Sequence, residues 1–320
     1  MKIVVLDGYT LNPGDNPWDE VARFGEFVVH DRTPDDLIVE RCAGAQIVLT
    51  NKTRLSAQTL SALPELKLIC VLATGYNVVD LEQSARLGIP VVNVPEYGSE
   101  SVAQHALALL LELTNRVALY DGAVKRGEWS RSRDFTLVAE PLTELFGKSI
   151  GIVGLGRIGG RVARIAHAIG MEVLAHNPRH RIAPEGVPVQ WLELDELFRR
   201  ADVVTLHCPL TAQNEGLVNS ALLGLMPSHA LLVNTSRGAL IKEQDLADAL
   251  NSGAIAGAAL DVTVREPIAS DNPLLTARNC IITPHIAWAT LSARRRLMAT
   301  TARNIAAYLA AAPQNVVNGL

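Results

Sequence analysis

Residues 149–160 read SIGIVGLGRIGG. A short apolar run leads into Gly154-Leu155-Gly156-Arg157-Ile158-Gly159, and helical spacing follows, with Ile158, Val162, Ile165, Ala166 and Ile169 on one predicted face. GxGxxG alone is a weak signal. Between a strand and a helix each glycine meets a separate mechanical need, namely a tight turn, close backbone approach to a pyrophosphate, and a helix N-terminus aimed at phosphates. The stretch predicts a dinucleotide site opening a doubly wound parallel sheet, with Gly154, Gly156 and Gly159 as cofactor-binding residues.

Around it the chain alternates strand-like and helix-like segments. SIGIVG, MEVLAH, DVVTLH, ALLVNT, AGAALDV and NCIITP are the candidate strands of this array. Nearer the N-terminus, KIVVL, EFVVH, AQIVLT, LKLICVL and IPVVNV form a second set, read as strands buried on both faces. Helix-like PDDLIVERCAG and SAQTLSAL between them imply crossover connections and a second parallel sheet. Ser99 to Trp129 reads as one long helix, a strut between the arrays, and SRSRDFTLVAEPLTELFGKS after it as an irregular arm or surface loop. SARRRLMATTARNIAAYLAAAP is a last helix stopped by Pro313. It is assigned to the first array, because a completed second sheet leaves no strand to receive it. The expected domains are 1–98 with 286–320, and 99–285.

Bulk properties narrow the class. A chain of 320 residues with 48% hydrophobic and 19% charged residues has material for two cores and is not a disordered tail. A formal net charge of −4 offers no basic excess for nucleic acid. MKIVVLDG has only four consecutive apolar residues before Asp7, too few for a signal-peptide core, and ALALLLEL is interrupted by Glu112. A cytoplasmic protein without a membrane partner is expected. The four cysteines are scattered, which argues for reduced thiols and against a metal site.

Several polar residues fall at predicted strand ends, where doubly wound sheets bind ligands. Arg237 in NTSRGAL follows ALLV and can grip a carboxylate through two parallel hydrogen bonds, or form a structural ion pair. His285 in TPHIAW follows NCIIT and is suited to moving a proton near neutral pH. Glu266 in VREP, set against the far ring nitrogen, would fix the tautomer and favour the charged form. His207 in TLHCPL has no acidic neighbour in sequence and is assigned to packing or cofactor contact. Asp261 in ALDV either accepts a hydrogen bond from a nicotinamide amide or forms a cap or turn. Thr74-Gly75 in LATGYNVVD turns the chain where backbone N–H groups can hold a carboxylate, and Asn51-Lys52 is a second polar turn that faces either substrate or water.

In the order VGLGRIG, HCPLT, NTSRGALI, ALDV, REP, PHIAWAT, the chain resembles the D-isomer-specific 2-hydroxyacid dehydrogenase family over essentially its whole length. LDGYTLNPGDNPW, LTNKT and LATGYNVVD resemble the glycerate dehydrogenase (hydroxypyruvate reductase) branch. The resemblance implies an α/β chain of two Rossmann-like domains, one flavodoxin-like and one dinucleotide-binding, with a cleft between them. It implies a homodimer held through the cofactor domain, with Arg237 orienting a small 2-keto acid, Glu266 paired to His285 and His285 as proton donor. The Thr74-Gly75 backbone becomes the substrate carboxylate cradle. Arg157, Ile158, Pro209 and Thr235 in these motifs, with His285 itself, are further candidate cofactor contacts, and Trp288 a candidate substrate contact. A redox-sensing binding protein, a formate dehydrogenase, a phosphoglycerate dehydrogenase and a D-lactate-type enzyme are the alternatives. Formate dehydrogenases carry glutamine where Glu266 stands.

Two positions depart from the family pattern. VAQHA has Gln104 where many relatives have glutamate, a residue expected to stand behind the site. HNPRHR has Asn177 at the tip of the second strand, where users of NAD place an aspartate on the ribose hydroxyls. A neutral Asn177, with Arg179 and Arg181 close behind, predicts NADP(H) as the favoured cofactor and NAD(H) as a usable one.

Overall fold

The computed structural model describes residues 1–178 and 181–320. The prediction made for Arg179 lies outside the described residues. The chain divides into two compact units, Met1–Gly98 with Trp288–Leu320, and Ser99–Ala287.

In the first unit, β1 (Lys2–Val5), β2 (Glu26–Val29), β3 (Ile47–Thr50), β4 (Leu68–Val71) and β5 (Val91–Val92) form a parallel sheet in the order β2-β1-β3-β4-β5. This is the flavodoxin-like order of a doubly wound sheet. β1, β3 and β4 are apolar runs buried on both faces, whereas β2 is an edge strand whose Glu26 is exposed and whose other residues are half-buried. Both-face burial therefore fails at β2, because an edge has a neighbour on one side only. One face packs Ile3, Val5, Leu68 and Cys70 against Leu297, Met298, Ala302 and Ile305 of the helix Leu291–Leu309. The segment after that helix returns along β5, with Val316 paired antiparallel to Val92.

In the second unit, β6 (Ser149–Val153), β7 (Glu172–His176), β8 (Val189–Trp191), β9 (Val203–Leu206), β10 (Leu231–Asn234), β11 (Gly257–Leu260) and β12 (Cys280–Ile282) are all parallel. Their order is β12-β11-β10-β9-β6-β7-β8, so the chain reverses direction across the sheet at β6. That reversal opens a crevice at the carboxyl ends of β6 and β9, the ligand position of such sheets. β8, three residues at the edge, escapes the sequence reading.

Three helical expectations are corrected. The segment Ser99–Trp129 is broken: helix Ser99–Asn115 ends at Arg116, whose φ of 50° is left-handed, and Val117–Lys125 starts anew. Nor is its first part a free strut. Ala103, Ala106, Leu107 and Leu110 bury with Ile152, Val233 and Ala259 of the second sheet. On the helix Arg157–Ala168 the buried face is Gly159, Gly160, Val162, Ala163 and Ala166, while Ile165 and Ile169 are 40% and 39% exposed. Small residues sit inward because the helix lies close against the glycine turn. The stretch 132–148 has neither helix nor strand, as read, and Phe135, Val138, Leu142 and Phe146 are exposed. Tyr120 pins it, its hydroxyl bonding Glu140 O at 2.8 Å.

Candidate functional site

The candidate residues of the second unit lie along one edge of its sheet. His285 follows β12, Asp261 β11, Arg237 β10, His207 β9, Gly154 β6 and Asn177 β7, on six strands that are neighbours. Parallel pairing puts all six carboxyl ends on the same side.

Gly154 has a φ of 94°, and a Cβ there would lie 2.6 Å from Cys208 N. A side chain is excluded twice, by conformation and by contact. Gly159 packs against the turn, where a Cβ would stand 2.4 Å from Gly154 O, whereas at Gly156 a Cβ would meet nothing within 4 Å. The turn is thus tight against protein on two sides and open at Gly156, which begins the helix. At the end of β10, two strands along the same carboxyl edge, Thr235 is 8% exposed and its Oγ1 lacks a hydrogen-bond partner among the described residues. A buried hydroxyl left unpaired costs about 1 to 3 kcal/mol, so Thr235 is placed to bond a bound group.

His285 and Glu266 come together: Nδ1 of the imidazole lies 2.6 Å from Glu266 Oε2, with 29% and 34% of the two side chains exposed. The other carboxylate oxygen accepts from Thr263 N at 3.3 Å. With Nδ1 engaged, Nε2 is the ring nitrogen able to exchange a proton. His285 itself has a φ of 54°. A side chain in that left-handed region costs on the order of 1 to 3 kcal/mol, so the surroundings must hold it.

Asp261 does the holding. Its main-chain oxygen accepts from His285 N at 2.8 Å, its Oδ1 from Ile286 N at 2.9 Å and its Oδ2 from Ala287 N at 2.8 Å. Thr283 Oγ1 donates to Oδ1 at 2.6 Å, and His105 Nε2 lies 3.5 Å away. Burial pushes the Asp261 carboxyl up, but the hydrogen bonds from His105, Thr283, Ala287 and Ile286 together outweigh it, and its pKa is lowered. Asp261 thus forms the turn that carries His285. His105 is a residue that sequence reading missed, and its signal was a lone histidine in an apolar helix. Its neighbour Gln104, expected behind the site, is exposed.

Arg237 is exposed, its Nη1 donating to Ser236 O at 2.7 Å. Burial lowers the His207 imidazole to about 4, so it is neutral near pH 7, with Nε2 2.9 Å from Thr205 Oγ1. Pro209 and Arg157 are exposed, Ile158 and Asn177 half-buried. Arg181 pairs with Glu193 at 2.9 Å, both side chains largely exposed.

In the first unit, Asn51 is only 5% exposed and its Nδ2 donates to Leu72 O at 3.0 Å, while Lys52 is exposed. The carboxylate of Asp7 organises that turn, accepting from Asn51 N at 2.8 Å and Thr53 N at 2.8 Å as well as from Lys52 N. Thr74 is exposed and Gly75 half-buried. Among the described residues none accepts from the N–H of Gly75 or Tyr76. Trp288 stands edge-on to Tyr97, with ring centroids 6.1 Å apart.

The sequence pattern described as D-isomer specific 2-hydroxyacid dehydrogenase, NAD binding domain, matches residues 107–287. The chain belongs to that family. It is similar to a hydroxypyruvate reductase of Blautia hydrogenotrophica, 48% identical over 99% of this chain and 100% of that one. It is similar also to a glycerate dehydrogenase of Methylorubrum extorquens, 37% identical over 99% and 98%. Among solved structures it resembles an acyclic imino acid reductase in complex with NADPH and D-arginine, with a TM-score of 0.85, 31% identity, and 99% and 100% of the chains covered. Family membership makes the chain an oxidoreductase using a nicotinamide dinucleotide. The open Gly156 turn and the unpaired Thr235 hydroxyl fit that group. Among the described residues no helix is long and apolar enough to cross a membrane.

Proposed function

We propose that this family member reduces hydroxypyruvate to D-glycerate, with NADPH preferred over NADH. The observation that carries the chemistry is the His285–Glu266 pair at 2.6 Å, on the sheet edge that also bears the glycine turn. A nicotinamide dinucleotide held at the Gly154–Gly159 turn and Thr235 would supply the hydride for the C2 carbonyl carbon. His285 delivers the proton from Nε2 to the carbonyl oxygen, which keeps charge from accumulating there. Glu266 fixes the ring's orientation and tautomer through Nδ1. Arg237, which reaches out from β10, binds carboxylate and carbonyl together and aligns the acceptor carbon. The backbone at Thr74-Gly75 holds the carboxylate, and Trp288 bounds the substrate.

The choice of hydroxypyruvate rests on the Blautia and Methylorubrum relatives. A panel of hydroxypyruvate, glyoxylate and pyruvate, each with and without an amine that converts it to an imine, tests it with purified protein. The highest kcat/KM should fall on hydroxypyruvate without amine. A maximum on glyoxylate or pyruvate, or only with amine, replaces the substrate. No turnover with any of them supports a redox-sensing role on the same scaffold.

The preference for NADPH rests on Asn177, which lacks the charge that would repel a 2′-phosphate. One charge-assisted contact to that phosphate contributes about 1.5 to 3 kcal/mol, roughly a tenfold to hundredfold preference. Arg181 must exchange Glu193 for the phosphate, a small cost for an exposed pair. Comparison of kcat/KM for the two cofactors decides the point, and equal or better use of NADH refutes it.

A homodimer through the second unit is part of the same proposal. Phe135 and Phe146 of the irregular stretch are 92% and 75% exposed, and Ile165 and Ile169 leave further apolar surface on the same unit. Large apolar side chains exposed to this degree are suited to an association face. Phe135→Asp combined with Val138→Asp should yield monomers in light scattering, and an unchanged mass would remove the assignment.

A further inference from the structure

Asn93 is 8% exposed and is bonded through its side-chain amide nitrogen and through both of its main-chain polar groups. Its side-chain Nδ2 donates to Thr74 O at 2.8 Å. Its main-chain oxygen accepts from Asn304 Nδ2 at 2.9 Å, and its N–H donates to Asn315 O at 3.1 Å. Asn304, 1% exposed, accepts in turn from Asn315 Nδ2 at 2.8 Å. Three asparagines from β5's end, the helix Leu291–Leu309 and the returning tail thus form one relay that ends on the carbonyl of Thr74.

That carbonyl is the one whose direction matters. The peptide between Thr74 and Gly75 is trans. In a planar trans peptide the C=O and the following N–H point in opposite directions. Drawing Thr74 O toward the buried Asn93 therefore turns the Gly75 N–H away from the core. Thr74 Oγ1 is fixed separately, donating to Val94 O at 3.0 Å, so the turn is anchored at two points.

We propose that Asn93 is the positioning residue for the substrate carboxylate: it aims the Gly75 N–H, with Asn304 and Asn315 holding it in place. This rests on the reading of Thr74-Gly75 as the carboxylate cradle. Asn93 touches neither substrate nor cofactor. Its effect is confined to how well an N–H donor is presented, so it should appear in KM for the keto acid and not in the chemical step or in cofactor binding.

The test compares three variants with the wild-type enzyme, using hydroxypyruvate as the variable substrate and NADPH binding followed by fluorescence. Gly75→Pro deletes the donor itself and should raise KM by at least about tenfold, the usual worth of a hydrogen bond to a charged group. Asn93→Leu keeps the volume but releases Thr74 O, and should raise KM about fivefold to tenfold. Asn304→Leu, one bond further back, should raise it about threefold. In all three, kcat should stay within about threefold and the Kd for NADPH within about twofold. If Gly75→Pro leaves KM unchanged, the cradle reading falls and this proposal with it. If Gly75→Pro raises KM but folded Asn93→Leu or Asn304→Leu does not, the cradle stands and the relay is overturned. A fall in kcat and in NADPH affinity that matches the rise in KM across the asparagine variants shows a structural role only and overturns it as well.

Discussion

The carboxyl edges of the two sheets present different kinds of chemical group. On the second sheet the candidate groups are side chains: the imidazole of His285, the carboxylate of Glu266, the guanidinium of Arg237. On the first they are the backbone N–H groups of Gly75 and Tyr76, beside a carbonyl held by Asn93, and the exposed Lys52 on a turn whose own N–H groups are held by Asp7. A side chain can be replaced in one step and its chemistry is lost at once. A backbone donor persists through any substitution except proline, and is weakened only by disturbing what aims it. The proposed division is that one edge reacts and the other holds, and substitutions on the two should differ in kind as well as in size.

The largest expected effect is on the reacting edge. His285→Ala should lower kcat by about two to four orders of magnitude, the usual loss on removing a general acid. The Kd for NADPH, from fluorescence, should be unchanged. A variant retaining more than roughly a tenth of the wild-type rate would move the acid elsewhere. Arg237→Lys comes next and should lose nearly as much kcat/KM as Arg237→Ala, because an ammonium cannot reproduce the planar two-donor fork. Full activity of the lysine variant would mean that charge alone is used there.

On the holding edge, Asp7→Ala frees the N–H groups of Asn51, Lys52 and Thr53 together. Steady-state kinetics should show KM for the keto acid rising several-fold with kcat little changed, because the turn that carries Lys52 loses its anchor. A fall in kcat like that of His285→Ala would erase the distinction between the edges.

The smallest effect concerns His207. Its folded pKa, about 4, lies below its ordinary value because burial disfavours the charged form. Between those values the unfolded chain binds a proton that the folded chain does not. Its contribution to stability is therefore complete above about pH 6.5 and declines as pH falls toward about 4. Denaturant melts at pH 7 and pH 5 should show a smaller decrement for His207→Gln than for wild type, and equal decrements would contradict the burial argument.

The same contrast explains which features are legible from sequence. Gly154, Gly156 and Gly159 were legible because a tight turn and a helix start leave a local pattern, and His285 because it stands just past a strand. Three things were not. The break at Arg116 interrupts no hydrophobic periodicity, since the second helix resumes the same pattern after one left-handed residue. The buried face of helix Arg157–Ala168 is decided by how near the glycine turn lets it come, so Ile165 and Ile169 were misassigned inward. The roles of Asp261, Asn51 and Asn93 depend on partners distant in sequence, and a hydrogen-bonding side chain carries no sign of which distant atom it will meet. The two-sheet architecture was legible because each strand's character is local.

The first unit is assembled from both ends of the chain, with Ser99–Ala287 between them. During synthesis, Ile3, Val5 and Leu68 emerge long before Leu297, Met298 and Ile305, the residues that cover them. At ordinary translation speeds of about 5 to 20 residues per second, that face waits roughly 10 to 50 s for its cover. The second unit, continuous in sequence, can fold within that interval. The ribosome thus imposes an order of assembly, in which the nascent N-terminal sheet offers an apolar surface to chaperones until the last helix emerges.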